Sequence, residues 1–162
     1  MPGCPRCVVV ALGSNLGDRR AHLQYATTRL SRLLFDPVVS EVIDTAPHGV
    51  APDQPRFLNA VMMGWSVDAP TSLLAQLQEI EDARGRERPF VGAPRTLDLD
   101  LILVGELVVS TGGLVLPHPR FRDRQFVLGP LASIAPDLVD PGTGATMREL
   151  LARLESRLLE SQ

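Results

Sequence analysis

The residues best suited to chemistry are two aspartates, Asp98 and Asp100, at the start of the apolar run 97–104. In a β-strand alternate side chains project from one face, so the two carboxylates would lie side by side with Cα atoms about 6.5 Å apart. Carboxylate oxygens without nearby cysteine favour Mg²⁺, which takes further ligands from water and substrate phosphates. The pair would hold one ion or bracket two, as phosphoryl-transfer sites do. On spacing alone, an edge strand with one solvated face fits equally well.

Arginines gather on both sides of this strand, and every basic residue outside the histidines is arginine. One cluster precedes the strand and a second follows it: Arg84, Arg86, Arg88 and Arg95, then Arg120, Arg122 and Arg124. Guanidinium groups bind phosphate oxygens in a bidentate manner. A formal net charge of −3 argues against a general nucleic-acid binder. The clusters therefore indicate a phosphorylated small molecule, with a solvated loop as the plainer interpretation.

The composition is typical of a folded soluble domain, with 162 residues, 44% of them hydrophobic and 22% charged. We predict one domain over residues 1–162, with 1–6 as a flexible tail. No apolar run has the length of a membrane span, and the first residues lack the pattern of a signal peptide, so we expect a cytoplasmic protein without disulfides. Cys4 and Cys7 form a Cys-x-x-Cys pair, but a zinc site needs two more ligands. A monomer is expected, with a weak dimer as the alternative.

Hydrophobic periodicity predicts the elements that position these residues. Strands are predicted over 7–12, 38–45, 57–67, the stretch that contains Asp98 and Asp100, 107–109 and 114–116. Helices are predicted from Leu23 to Leu34, from Pro70 to Gly85 with Leu73, Leu74, Leu77 and Ile80 facing inward, and from a capping box at Thr146 with Leu150, Leu151, Leu154 and Leu158 on one face.

The order of these elements predicts the fold class. Strand, helix, strand, strand, helix, strand is the order of the ferredoxin-like split βαβ arrangement. We therefore predict an α+β fold in which helices pack on an antiparallel sheet. Because one fold supports many functions, the fold class alone does not indicate an activity.

Four separated sequence blocks carry a family resemblance. They are Ala-Leu-Gly-Ser-Asn-Leu-Gly-Asp at 11–18, Asp-Gln-Pro-Arg-Phe-Leu-Asn-Ala at 53–60, Gly-Ala-Pro-Arg-Thr-Leu-Asp-Leu-Asp at 92–100 and Leu-Pro-His-Pro-Arg at 116–120. Together they resemble the 6-hydroxymethyl-7,8-dihydropterin pyrophosphokinases of folate biosynthesis. The resemblance implies a ferredoxin-like fold and transfer of pyrophosphate from ATP to the pterin hydroxymethyl group, with release of AMP and a requirement for two Mg²⁺ ions.

The resemblance also implies which residues act. Asp98 and Asp100 would bind both metal ions, and Arg86 and Arg95 would assist the chemical step. The residues implied in ATP binding are Gln78, Glu81, Arg88, Arg95, Leu101, His118 and Arg124. Those implied in pterin binding are Thr45, Pro47, His48, Phe57, Asn59 and Phe126. Phe57 and Phe126 would stack on the pterin ring, and Asn59 would offer both a hydrogen-bond donor and an acceptor to the edge of that ring.

Several of these residues also have plainer interpretations. Gln78 and Glu81 share a helix face that could simply be its solvated side, and the two phenylalanines could be core residues. The chain also departs from the family's pattern, because Phe90 and Val91 stand directly before the Gly-Ala-Pro-Arg stretch at 92–95, where many members have a tryptophan. Two other functions stay open on the residues alone: a nucleotidyltransferase that uses the same carboxylate pair, and a nucleotide-binding module without catalysis.

Overall fold

The computed structural model of the protein describes residues 3–46, 56–85 and 96–161. Its strands are β1 (Arg6–Ser14), β2 (Phe35–Val39), β3 (Ile43–Thr45), β4 (Phe57–Ser66), β5 (Asp98–Val104), β6 (Val109–Thr111) and β7 (Leu114–Leu116). Its helices are α1 (Arg19–Leu33), α2 (Pro70–Ala83), α3 (Gln125–Ile134) and α4 (Met147–Glu160), with a short 3-10 turn at Phe121–Asp123. The predicted α+β class with the ferredoxin-like order of elements is confirmed.

The main sheet is antiparallel and brings distant segments into one register. Its strand order is β2-β4-β1-β5, and β3 pairs with the beginning of β4. Near the C-terminal end of β1, Gly13 pairs with Asn59 of β4 on one side and with Asp98 of β5 on the other. The second sheet is a small hairpin of β6 and β7.

The sheet carries a hydrophobic core on each face, because alternate residues of its central strands point in opposite directions. We call the core under α1 and α2 the first core; it contains Val8, Val10 and Leu12 of β1, Leu23, Ala26 and Leu30 of α1, and Leu73, Leu77 and Ile80 of α2. We call the core under α3 and α4 the second core; it contains Cys7, Val9 and Ala11 of β1, Val127, Leu128 and Leu131 of α3, and Met147, Leu150 and Leu154 of α4.

Polar caps fix where two of the helices begin. The side chain of Asp18 accepts a hydrogen bond from the backbone N–H of Ala21 at the start of α1. At the start of α4, Thr146 and Glu149 form a reciprocal capping box, as the sequence predicts. The side chains satisfy backbone N–H groups that have no partner within the helix.

The structure corrects three details of the predicted elements. The strand predicted over 38–45 is divided, because the hydroxyl of Ser40 accepts the N–H of Val61 at 2.9 Å and replaces a backbone partner between β2 and β3. The strand predicted over 107–109 is instead Val109–Thr111, since the chain first makes a turn after β5. Leu158 is 42% exposed, so the last turn of α4 extends past the second core.

Two smaller observations complete the fold. Leu74 is half-buried, so it does not face inward as fully as Leu73 and Leu77, which are both 3% exposed. Among the helices of the three described segments, none combines the length and the apolar character that crossing a bilayer would require.

Candidate active site

The two aspartates lie on the face of the sheet that carries the second core. Leu99 and Leu101, which alternate with them in β5, are each 5% exposed and belong to the first core. Asp98 and Asp100 therefore project together from the opposite face, where both are half-buried. The strand conformation thus produces the carboxylate pair that the sequence pattern predicts.

Asn59 and Phe57 lie on the same face, across β1 from the aspartates. Paired residues of an antiparallel sheet project to one side, and Gly13 is the residue paired with both Asn59 and Asp98. A Cβ atom at Gly13 would stand 3.2 Å from Oδ1 of Asn59 and 3.8 Å from Cδ1 of Phe57. Glycine at this position therefore keeps the space open between the amide and the carboxylates, a role that the sequence analysis did not identify.

The donor set of the aspartate pair fits Mg²⁺. In the parts of the chain that the structure describes, no group of three or more His, Cys, Asp or Glu residues could hold a metal ion. Two half-buried carboxylates at the open end of a sheet would leave most coordination positions to water and to the substrate. That is the usual arrangement for Mg²⁺, which retains waters and binds substrate phosphates.

His118 stands beside the carboxylates as a neutral ring. Its backbone N–H donates to the carbonyl of Ile102 at 2.7 Å, and its Nδ1 accepts the backbone N–H of Arg120 at 3.1 Å. Burial lowers the pKa of His118 to about 4; the cations of Arg124 and Arg120 add to this effect, while Asp98 opposes it. Because Nδ1 is an acceptor, the proton of the neutral ring lies on Nε2, which can donate to a ligand oxygen.

Arg124 connects the carboxylates with an aromatic ring. Its Nη1 lies 3.8 Å from Oδ2 of Asp100, and its side chain is 27% exposed. Its guanidinium carbon lies 5.7 Å from the centre of the Phe126 ring, within the range of a cation–π contact. A single cationic side chain therefore reaches both the carboxylate of Asp100 and the ring of Phe126.

A second arginine of this cluster has a structural role. Arg122 donates from Nε and Nη2 to the two carboxylate oxygens of Asp140 at 2.6 and 2.9 Å, and Asp140 is 0% exposed. Burial by itself raises the pKa of Asp140, but hydrogen bonds from Arg122, Thr143 and Gly142 outweigh it, and the pKa is lowered. Within the cluster of Arg120, Arg122 and Arg124, the guanidinium of Arg122 is thus engaged by a buried carboxylate.

A cavity of about 480 Å³ lies between β3 and α3. Its walls include Thr45 and Phe126, which are implied in pterin binding, and Ile43, Gly129 and Ser133, which the sequence analysis did not identify. Next to it, Asn59 is 6% exposed and donates from Nδ2 to Oγ1 of Thr45 at 2.6 Å. This hydrogen bond fixes the orientation of the Asn59 amide, so a ring edge would meet a preset polar group.

The residues implied in ATP binding on α2 and β5 differ in their surroundings. Gln78 is exposed, whereas Glu81 is 4% exposed and accepts the backbone N–H of Leu99 at Oε2, at 2.8 Å. Interpreting the pair as the solvated side of α2 is therefore wrong for Glu81. Leu101 packs its side chain in the first core, which leaves its main chain on β5 as the part that could contact a nucleotide.

Five implied residues fall outside the described part of the chain: Pro47, His48, Arg86, Arg88 and Arg95. Gly85 and Thr96, which flank positions 86–95, are hydrogen-bonded to each other. Oγ1 of Thr96 donates to the carbonyl of Gly85 at 3.2 Å. The hydroxyl of Ser14, which is 0% exposed, donates to the carbonyl of Thr96. Thr96 is therefore held between Gly85, after α2, and Ser14, at the end of β1.

Comparison with known sequences identifies the family. Residues 9–136 match the model of the family described as 7,8-dihydro-6-hydroxymethylpterin-pyrophosphokinase. A 2-amino-4-hydroxy-6-hydroxymethyldihydropteridine pyrophosphokinase of Pseudomonas aeruginosa is 45% identical over 147 residues, which cover 90% of this chain and 90% of that protein. A protein of the same name from Methylorubrum extorquens is 42% identical over 153 residues, which cover 93% of this chain and 95% of that protein.

Comparison with solved structures gives the same fold. A crystal structure of Plasmodium falciparum HPPK-DHPS matches with a TM-score of 0.80 at 13% sequence identity. The match covers 98% of this chain and 47% of that one, so this chain spans about half the length of the Plasmodium protein. At such low identity the likeness establishes the fold alone.

Proposed function

Because this chain belongs to the 7,8-dihydro-6-hydroxymethylpterin-pyrophosphokinase family, we propose that it transfers pyrophosphate from ATP to the hydroxymethyl group of 6-hydroxymethyl-7,8-dihydropterin. The observation that carries this proposal is the register that sets Asn59, Gly13 and Asp98 side by side on one face of the sheet. In that register the amide of Asn59, which suits the edge of a pterin, lies across Gly13 from the carboxylate of Asp98, which suits a metal–phosphate complex. The pterin oxygen would attack the β-phosphorus, and AMP would leave.

The phosphate half of the site would be built on β5 and the chain after β7. Asp98 and Asp100 would hold two Mg²⁺ ions, which supply neutralisation of the triphosphate charge when bound. His118 is neutral because of its low pKa, so its Nε2–H would donate to a phosphate oxygen without adding charge. Arg124 would contribute a cation beside Asp100. Preset donors and cations of this kind stabilise charge that develops in the transition state.

The pterin half would be built on β3, β4 and α3. Asn59, oriented by its hydrogen bond to Thr45, would bind the amide-like edge of the ring. Phe57 and Phe126 would stack on the ring, which contributes about 0.5–1.5 kcal/mol beyond burial of area. Arg124 contacts Phe126 as well as Asp100, so it lies where the two substrates would meet.

The remaining assignments are proposed from the family resemblance. Arg86 and Arg95 would assist the chemical step, and Arg88 would bind ATP together with Gln78 and the main chain of Leu101. Pro47 and His48 would complete the pterin side.

The proposed activity is tested by identifying the nucleotide product. The protein is incubated with ATP, Mg²⁺ and 6-hydroxymethyl-7,8-dihydropterin, and nucleotides are separated by anion-exchange chromatography. We expect AMP in a one-to-one ratio with the pterin diphosphate, and none without the pterin. Formation of ADP would indicate ordinary kinase chemistry, and absence of any product would indicate a binding module; either result contradicts the proposal.

A further inference from the structure

Glu81 holds its carboxylate inside the protein, in the last turn of α2. Only 4% of the residue is exposed, and its neighbours Leu77 and Ile80 in the first core are 3% and 0% exposed. Burial of a carboxylate is costly unless hydrogen bonds replace its hydration. One such bond comes from the backbone N–H of Leu99, 2.8 Å from Oε2.

The N–H that donates to Glu81 is that of Leu99, in the peptide that joins Asp98 to Leu99. Leu99 lies between Asp98 and Asp100, the two candidate metal ligands. β5 pairs with β1 on one side and stands at the end of the strand order in the described sheet. Outward-facing N–H groups of such an edge have no strand partner. Glu81 supplies an acceptor for the Leu99 N–H at this point, in place of the carbonyl that a neighbouring strand would offer.

We infer that Glu81 is a positioning residue for the metal site and not a ligand of ATP. By fixing the plane of the Asp98–Leu99 peptide, it sets the directions in which Asp98 and Asp100 project. The inference rests on the proposed function, because it takes the two aspartates as Mg²⁺ ligands. Outer partners that orient metal ligands typically contribute 10–100-fold to metal affinity.

The test separates Mg²⁺-dependent from Mg²⁺-independent nucleotide binding. Affinity for α,β-methylene-ATP is measured by calorimetry with Mg²⁺ and with EDTA, in the wild type, Glu81→Gln and Glu81→Ala. Glutamine keeps the shape and one acceptor oxygen, so Glu81→Gln is the variant expected to stay folded. Glu79→Gln, on the exposed side of the same helix, is the matched control. Hydrogen exchange of the Leu99 amide is followed by NMR in each protein.

The Mg²⁺ effect is the ratio of the affinity measured with Mg²⁺ to the affinity measured with EDTA. We expect this ratio to be about tenfold smaller in Glu81→Ala than in the wild type, and about threefold smaller in Glu81→Gln. Affinity in EDTA should not change, Leu99 exchange should accelerate, and Glu79→Gln should match the wild type. Weaker binding in EDTA would make Glu81 a nucleotide ligand and overturn the inference. An unchanged Mg²⁺ effect in folded Glu81→Gln and Glu81→Ala would reduce Glu81 to a purely structural residue, which also overturns it.

A parallel variant distinguishes failure of this inference from failure of the proposed function. If Asp98→Asn keeps the full Mg²⁺ effect, the metal assignment itself is wrong. If Asp98→Asn loses the effect while both Glu81 variants keep it, the metal assignment stands and only the role of Glu81 is wrong.

Discussion

Nη1 of Arg124 lies 3.8 Å from Oδ2 of Asp100, while the same guanidinium lies over the ring of Phe126. Asp100 belongs to the proposed phosphate half of the site and Phe126 to the proposed pterin half. Because Arg124 is only 27% exposed, its charge acts in surroundings where water screens it incompletely. One cation is therefore within reach of both proposed halves of the site.

Replacing Arg124 by lysine should weaken ATP binding. Lysine keeps the charge but loses the planar guanidinium that can contact a carboxylate and stack on a ring at once. We expect the KM for ATP to rise about tenfold, equivalent to about 1.4 kcal/mol, and the KM for the pterin to rise less. Steady-state kinetics measure both values. Arg153→Lys on the exposed side of α4 is the control, and equal kinetics in the two variants would remove Arg124 from the site.

Asp98→Asn and Asp100→Asn should each abolish turnover while the protein stays folded. Asparagine preserves the shape and removes the charge that a divalent cation requires. We expect a loss of at least about 10³-fold in kcat, in line with the barrier reduction that metal ions provide in phosphoryl transfer. Circular dichroism verifies folding, and Asp137→Asn at an exposed surface ion pair is the control. Wild-type rates in either site variant would refute its assignment as a ligand.

His118 should remain uncharged throughout the pH range in which the enzyme works. Burial and the nearby arginines place its pKa at about 4, below the ordinary value of about 6.5. The unfolded chain therefore binds a proton between these two values that the folded protein does not, so the contribution of His118 to stability falls as the pH falls from about 6.5 to about 4. NMR titration of the ring measures this pKa. A midpoint near 6.5 would contradict the account.

Two glycine-to-alanine variants should separate effects on the site from effects on stability. In Gly13→Ala the new Cβ would stand 3.2 Å from Oδ1 of Asn59, so we expect about tenfold weaker pterin binding with little change in stability. In Gly64→Ala the new Cβ would stand 2.7 Å from Cβ of Leu34, so we expect a loss of about 1–3 kcal/mol in stability. Pterin titration and denaturant unfolding measure the two effects. The reverse pattern would be inconsistent with the proposed geometry.

Sequence patterns correctly predicted the structural features that depend only on residues close together in the chain. The period-two alternation at 97–101 correctly placed Asp98 and Asp100 on one face, because side-chain direction in a strand follows from position alone. The capping box at Thr146 was likewise correct, since both partners lie within four residues. The fold class followed from the order of these local elements.

The structural features that the sequence did not predict depend on contacts between residues far apart in the chain. Gly13 matters because β1 lies between β4 and β5, and strand order is set by packing of the whole chain. The sequence allowed Glu81 to be a solvated residue, whereas it is buried and accepts a hydrogen bond from an amide 18 positions away. Arg122 looked like its neighbour Arg124, but Asp140 from the chain before α4 engages it. No local pattern encodes these pairings.

The most direct test of the central claim is a crystal structure of the protein with α,β-methylene-ATP, Mg²⁺ and 6-hydroxymethyl-7,8-dihydropterin. The account predicts two ions between the phosphates and the carboxylates of Asp98 and Asp100, with metal–oxygen distances of about 2.0–2.1 Å. It also predicts the pterin edge on Asn59, with its hydroxymethyl group directed at the β-phosphorus. Carboxylates turned away from the phosphates, with no ion beside them, would contradict it.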